Sequence, residues 1–492
     1  MTCLFMRLIK FAAILFLAGC NPYNHYSSPC VEVPAQWKGE VATESEEEPQ
    51  CEWWVVFDDP VLNCLEEKAV VQNRDLEQAW YAFKEAAALS RVALSELFPQ
   101  ITFNPSYQRV NQLVNTSFEG IPGLPAGPLR MDQKSYTLPL NGQYEVDLWN
   151  QLGLNARAAR LTAHARCWAL RALRLTITAE VAQNYFAIRT LDSELAVLKR
   201  SIQSRSDQVH ITNVRYEGGL ITYTDVSRAA TELAIAQADY EDVYRSRLNF
   251  INALAVLIGE PASCFDLDFT ELQQDLPKIP AYLPSEVAFL RPDIREAERL
   301  VAAAHADIGV AWASFLPSFT LQGTIGYSSP MASNLLSWQA RLWGYAYNIS
   351  QIVFDGGGVW YNFQAAKDAY FQNVAAYQQS VLIAFQEVED ALANIEYRYR
   401  QEQYLKEAVR ASTETLDLTN IRYDKGVIDY LDVVDAERTS LDSQRTEVRT
   451  RGAQFLATVE LIKALGGGWL DTSDSMLSDT ELQNQCAVLQ GE

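Results

Sequence analysis

Residues 136–148 read YTLPLNGQYEVDL, and their alternation decides the architecture. The even positions from 136 to 148 hold Tyr, Leu, Leu, Gly, Tyr, Val and Leu, whereas the odd positions from 135 to 147 hold Ser, Thr, Pro, Asn, Gln, Glu and Asp. A period of two places each set on its own face of a strand, one apolar and one wet. Ile101, Phe103 and Tyr107 alternate with Thr102, Asn104 and Gln108 in the same way. Further on come Phe319, Leu321, Ile325 and Tyr327, then Trp343, Tyr345, Tyr347 and Ile349. The spacing predicts four strands in two hairpins, at about 99–111, 133–148, 317–329 and 341–354, with Pro105 and Pro139 at odds with regular pairing. A half-buried soluble sheet gives the same pattern. The aromatic strand ends and the polar opposite face favour a membrane barrel wall.

The amino terminus supports that choice. Arg7 and Lys10 precede the apolar run Phe11 to Ala18, which is too short to span a bilayer, and Leu17-Ala18-Gly19-Cys20 resembles a bacterial lipobox. That resemblance implies removal of residues 1–19, acylation of Cys20 and, with Asn rather than Asp at position 21, delivery to the outer membrane. The competing reading is an ordinary cleaved signal with an unrelated cysteine. Cys30 and Cys51 flank a loop-like acidic stretch; spacing leaves open whether they form a disulfide.

Composition narrows the function classes. The 492 residues are 48% apolar and carry a formal charge of −22, which argues against nucleic acid as a partner because phosphate binding needs clustered Lys and Arg. The four His are not paired at metal-binding spacing and the Cys form no CxxC, so the expectation is no metal and no cofactor. No nucleophile accompanies the acidic pairs, and the chain is not expected to be an enzyme.

Proline placement marks the helices. None of the 18 prolines lies in 140–260 or after Pro330, leaving two tracts free for long helices. In the first, Leu161, Ala165, Trp168, Ala172, Leu175, Ala179, Ala182 and Phe186 recur at alternating steps of four and three, the spacing of a coiled-coil seam. The tracts also repeat one programme. Asn73-Arg74-Asp75-Leu76 aligns with Arg291-Pro292-Asp293-Ile294 at an offset of 218, and Val214-Arg215-Tyr216-Glu217-Gly218-Gly219 with Ile421-Arg422-Tyr423-Asp424-Lys425-Gly426 at 207. The loop Gly120 to Pro128 is the natural place for the difference. Expected helices are Asn73–Leu97, Asn155–Glu217, Thr222–Ile258, Arg291–Leu316 and Asp429–Leu465. The second of these, 63 residues, is roughly 95 Å long, and helices of 37 and 25 residues stacked end to end match it.

Four strands cannot close a barrel, and every strand edge in a bilayer must be hydrogen bonded, so the barrel is expected to be shared between chains, twelve strands for a trimer. The duplicated order, the Phe98-Pro99 and Leu316-Pro317 steps into strands, and Phe354-Asp355-Gly356-Gly357-Gly358 after the last strand resemble the TolC-like outer membrane efflux proteins. With the lipobox, the chain is similar to their NodT-type lipoprotein branch. The resemblance implies a mainly α protein with a β-barrel: a homotrimeric channel-tunnel, docked to a periplasmic adaptor and an inner-membrane pump. The implied organisation is a signal peptide at 1–19, a lipidated segment at 20–72, repeats at 73–276 and 277–470, and a tail at 471–492.

The resemblance also assigns the helical turns. Asp432 and Asp435, three residues apart on one helix face, would ring the periplasmic constriction. Tyr423 and Asp225 match positions that hydrogen bond to hold the entrance shut, whereas Ile428 replaces an Arg found in some members. Gly219-Leu220 and Gly426-Val427 correspond to the turns that meet the adaptor. A structural or adhesive outer membrane lipoprotein without a hole is the rival function.

Overall fold

The computed structural model describes residues 21–31, 33–34, 36–38, 52–114, 129–277 and 291–467. The signal segment, Cys20, Cys51, the Gly120–Pro128 loop and the 471–492 tail lie outside the described residues. The helices are α1 (Pro60–Gln72), α2 (Arg74–Ser95), α3 (Gln151–Glu217), α4 (Tyr223–Leu257), α5 (Pro292–Ala313), α6 (Gly358–Asp424) and α7 (Tyr430–Ala464). The strands are β1 (Gln100–Phe103), β2 (Ser106–Val114), β3 (Leu129–Glu145), β4 (Ser318–Ser329) and β5 (Arg341–Ser350). These divide into two compact units, one within residues 21–29, 84–163 and 299–375, the other within 30–83, 164–298 and 376–467.

The first unit holds an antiparallel sheet in which β1 and β2 both pair with β3, β3 with β4, and β4 with β5. Register confirms the alternation: Leu138 faces Tyr327, Leu140 faces Ile325, and Ile325 faces Trp343, so the apolar sets of neighbouring strands share one face. The expected first strand is broken at Asn104-Pro105, because proline has no N–H to donate to the ladder. Pro139 breaks nothing. Its carbonyl accepts from the Asn104 N–H (3.3 Å), and its cross-strand partner is Gly326, where an added Cβ would stand 2.9 Å from the Pro139 Cα. The last strand ends at Ser350, not 354, and leaves Val353 and Phe354 exposed.

Both long helices begin where an aspartate caps them. Asp147 accepts from the N–H groups of Gln151 (2.6 Å) and Gly153 (2.8 Å), which starts α3 four residues before the expected Asn155. Asp355 accepts from Gly357 (3.0 Å) and Val359 (2.7 Å) and starts α6. Helix α1 was not legible in the sequence. Asp59 caps it through Val61 N–H (2.9 Å) and Leu62 N–H (3.2 Å), with Pro60 in the first turn, where a missing N–H costs nothing.

The second unit is helical. Phe57, Phe186 and Phe455 stack in its core, with ring centroids 4.8 Å and 4.9 Å apart. Charged groups are buried beside them. Asp192 is fully buried and receives Arg189 (3.2 Å), Arg247 (2.5 Å) and the Thr270 N–H (3.1 Å), tying α3 to α4 and to the segment after it. Glu194 takes Arg445 (2.9 Å) and Arg449 (2.7 Å) and ties α3 to α7. Cys30 is a free thiol, so the pairing with Cys51 considered above is not formed, whereas buried Cys167 is disulfide-bonded.

Glu66 on α1 is fully buried and neither carboxyl oxygen has a hydrogen-bond partner among the described residues. Burial pushes its pKa well above the ordinary carboxylate range, with Arg174 offsetting only part of the shift. The fold therefore retains a proton that the unfolded chain releases, so stability is greatest at low pH and falls as pH rises through the ordinary carboxylate range towards the raised value. Glu66→Gln should remove that fall, giving a higher melting temperature than wild type at pH 8 and a smaller difference at pH 5. Equal pH dependence of both proteins in thermal unfolding would contradict the assignment.

Candidate functional site

The two helical turns carry the sequence-assigned residues, and they are built alike. At the end of α3 the Gly219 N–H donates to Tyr216 O (2.8 Å) and the Leu220 N–H to Arg215 O (2.9 Å). At the end of α6 the Gly426 N–H donates to Tyr423 O (2.9 Å) and the Val427 N–H to Arg422 O (3.0 Å). Each is a Schellman cap, which requires a left-handed residue at its centre, and both glycines have φ +73°. Nothing lies within 4 Å of a Cβ built on either glycine, so a side chain there meets a backbone penalty and no clash. The following apolar residues have no cover: Leu220 is 77% and Val427 64% exposed. Gly219→Val or Gly426→Val should cost about 1–2 kcal/mol locally and impair export while leaving oligomer formation intact. Equal loss of both, read by export assay and native gel, would give the turns a folding role only.

Asp225 and Tyr423 are not brought together. Asp225 completes a capping box at the start of α4, accepting from the Thr222 N–H (3.3 Å) and hydroxyl (3.0 Å), and its other oxygen stands 3.7 Å from Arg228. Tyr423 is buried and its hydroxyl has no hydrogen-bond partner among the described residues. Among the described residues of this chain the expected hydrogen bond between Tyr423 and Asp225 is therefore not formed. In its place Arg215, on the last turn of α3, lies over the Tyr423 ring (4.6 Å) and pairs with Asp424 (3.0 Å), while Tyr423 packs on Tyr430 (5.5 Å). This clamp joins the two turns directly. Sequence reading missed Arg215 because its partners lie about 200 residues away; its place in the repeated turn motif was the one signal available. Tyr423→Phe should consequently be neutral or stabilising by up to about 1 kcal/mol, since it removes an unsatisfied hydroxyl. Arg215→Ala should loosen the turns, seen as faster amide exchange at 216–220 and 423–427. The opposite ranking would restore the tyrosine lock.

Asp432 and Asp435 occupy one exposed face of α7, with Val433 and Val434 buried behind them. Among the described residues neither carboxylate has an ion-pair partner. The nearby basic residue, Arg438, is held by Glu232, which also takes Arg205 (3.1 Å). Glu437, one step round the helix, is buried with its nearest cation, Arg205 Nε, at 3.9 Å. Burial raises its pKa, opposed by Arg205 and assisted by Glu232. The structure thus separates an exposed acidic pair without a salt bridge among the described residues from a buried, partly neutralised charge cluster. Among the described residues no group of side chains could hold a metal ion.

In the sheet, the apolar face is uncovered. Trp343, Tyr345 and Tyr347 are each more than 70% exposed, and Ile325 and Ile349 more than 60%. An aromatic and aliphatic face of this extent is stable against lipid. A sheet of this kind, continued by 67-residue helices that reverse at glycine turns, defines a membrane-wall protein of the channel class. Residues 65–260 and 283–467 match the outer membrane efflux protein family, and the chain belongs to that family. It is 31% identical to the probable efflux pump outer membrane protein TtgC of Pseudomonas putida KT2440, over 94% of this chain and 96% of that one. It is 30% identical to the outer membrane protein OprJ of Pseudomonas aeruginosa, over 92% of this chain and 94% of that one. The outer-membrane channel OprN has the same fold, with a TM-score of 0.82 at 27% identity over 90% of this chain and 99% of OprN.

Proposed function

We propose that this chain is the outer membrane channel of a tripartite efflux system, passing substrates from an inner-membrane pump and periplasmic adaptor to the exterior. The carrying observation is the sheet: its exposed aromatic face suits a bilayer, while the outer edges of β5 and of β1 with β2 have no partner strand among the described residues. Unpaired strand edges are not tolerated in hydrocarbon, so neighbouring copies must supply the missing ladders. Counting the interrupted β1 and β2 as one strand, each copy contributes four, and three copies close a twelve-stranded barrel.

Two further features support the reading. The helices come in matched lengths, 67 residues for α3 and α6, 35 for α4 and α7, and 22 for α2 and α5, as expected of a duplicated helix and hairpin unit. The exposed Leu220 and Val427 then present equivalent apolar tips to an adaptor, and Asp432 with Asp435 line the entrance beside them. Acylation of Cys20 adds an anchor to the same membrane. Native mass spectrometry of the detergent-solubilised protein should give three copies. A monomer or dimer under conditions that retain the sheet would overturn the shared barrel.

A further inference from the structure

The apolar face of the sheet is not flat. Beside the last β4–β5 pair it sinks into a hollow of about 720 Å³, within the roughly 300–1,000 Å³ of small-molecule sites. Its floor is two rows of cross-strand neighbours. Leu140, Ile325 and Trp343 form one row, and Leu138, Tyr327 and Arg341 the other. Leu336 and Trp338, from the connection between β4 and β5, complete the lining and are themselves more than 70% exposed. A second hollow of about 210 Å³ shares Leu138 and is lined by Leu335 and by Tyr107 and Tyr136, whose rings pack together (4.6 Å).

One charge stands at this apolar surface. Among the described residues that line either hollow, Arg341 alone is ionised. It heads the odd-numbered series of β5 that continues with Trp343, Tyr345 and Tyr347, so it lies on their face of the sheet, at the end next to the β4–β5 connection. Its Nε donates to Trp338 O (3.2 Å) and its guanidinium lies over the Trp338 ring. Those contacts fix the plane of the group. Its two terminal nitrogens have no hydrogen bond or ion pair among the described residues. A guanidinium held in this way matches a phosphate, which it takes by parallel hydrogen bonds to two oxygens.

We propose that the two hollows bind one anionic, phosphate-bearing membrane lipid, its acyl chains against the apolar rows and its phosphate on the terminal nitrogens of Arg341. The inference rests on the sheet lying in the outer membrane and goes beyond it: a barrel wall needs only a fluid apolar surround, whereas this site selects by headgroup. Charge and shape agree on the occupant. A soluble anion would leave the apolar rows uncovered, and an uncharged apolar solute would leave Arg341 without a counterion. A zwitterionic lipid brings its own cation to the phosphate and competes with the guanidinium. Trp338 stands where chain and headgroup join, the level at which an indole is favoured in a bilayer. Two hollows side by side suit a lipid with two chains.

The test uses the full-length protein in nanodiscs of phosphatidylcholine doped with phosphatidylglycerol, with native mass spectrometry counting the lipid that each released oligomer retains. Wild type should retain phosphatidylglycerol in preference to phosphatidylcholine. Arg341→Gln should reduce that preference by about tenfold, the scale of one charge-assisted hydrogen bond, and Arg341→Lys, which keeps the charge without the fork, should fall between. Phosphatidylglycerol brominated on its chains should quench wild-type fluorescence more than that of Trp338→Phe, which locates the chain. Glycerol phosphate, the headgroup without chains, should not displace the lipid. Equal retention by wild type and Arg341→Gln, or equal quenching of wild type and Trp338→Phe, would leave only the lipid that surrounds any barrel and overturn the site. Displacement by glycerol phosphate would make Arg341 a soluble-anion site, and retention confined to single chains released from the oligomer would mean that a neighbouring copy fills the hollows; either overturns the proposal. Protease protection in the same discs separates the two readings: an inserted oligomer without headgroup preference defeats this inference alone, whereas a protein that does not insert defeats the membrane barrel and the site with it.

Discussion

Replacing both Asp432 and Asp435 by Asn is expected to abolish most of the cation preference of the channel. The double change removes two charges per chain, hence six from the proposed trimer, from a face on which no salt bridge holds either carboxylate among the described residues. A ring of like charge at a constriction attracts cations and repels anions, so the permeability ratio should fall severalfold and block by multivalent cations should weaken. Opening is a separate matter. The Arg215 clamp on Tyr423 and Asp424 holds the adjacent turns whether or not Asp432 and Asp435 are charged, so the double Asn variant should change selectivity more than open probability. Reversal potentials in a salt gradient decide this. Unchanged selectivity would place the two carboxylates on an outer, solvated face.

Asp192→Ala should be the most damaging single change to the helical unit. Its carboxylate is fully buried and is shared by two guanidinium groups and a backbone N–H. Removing it leaves Arg189 and Arg247 buried without their counterion, which costs on the order of 3–5 kcal/mol. The consequence should spread beyond α3 and α4. Arg247 also donates to Leu267 O (2.7 Å) and Arg189 to Asp268 O (2.7 Å), so the segment that follows α4 loses its mooring as well. Denaturant unfolding of the solubilised protein should show a lowered midpoint, and proteolysis should cut near 265–272 first. A change below about 1 kcal/mol would mean that water or relaxation replaces the carboxylate more readily than its burial implies.

Local chemistry explains which elements could be read from sequence. Thr222 and Asp429 precede helices, and Gly219 and Gly426 follow them; such signals act over one turn, and α4 and α7 lie within one residue of their expected limits. The alternation in 136–145 likewise gave the faces that the register pairs, because strand period depends only on backbone geometry, whereas the strand stops at Glu145 and not at 148. Long-range fits were hidden. Pro139 is tolerated because Gly326, nearly 190 residues away, leaves room for it, and nothing near position 139 reveals that. Helix α1 was obscured because Asp58, Asp59 and Pro60 at its start read as turn residues as readily as cap residues.

The candidate site divides along the same line. Asp432 and Asp435 were found because residues three apart share a helix face, and the structure leaves both exposed. Within the described residues of one chain Asp225 does not reach Tyr423 because it meets a nearer demand, the N–H and hydroxyl of Thr222. A capping partner three residues away is always available to a carboxylate at that position, whereas a tertiary partner must be brought to it. Arg215 joins the two turns instead, through contacts with Tyr423 and Asp424 that require both turns to be in place.

Single-channel recording in planar bilayers tests the channel itself. The purified full-length protein, shown by native mass to be a trimer, should produce discrete, cation-selective conductance steps, and the double Asn variant should keep the steps while losing most of the selectivity. A correctly sized oligomer that inserts into the bilayer, as shown by its protection from protease, yet passes no current in the wild type or in an Arg215→Ala variant with loosened turns, would contradict a conducting barrel.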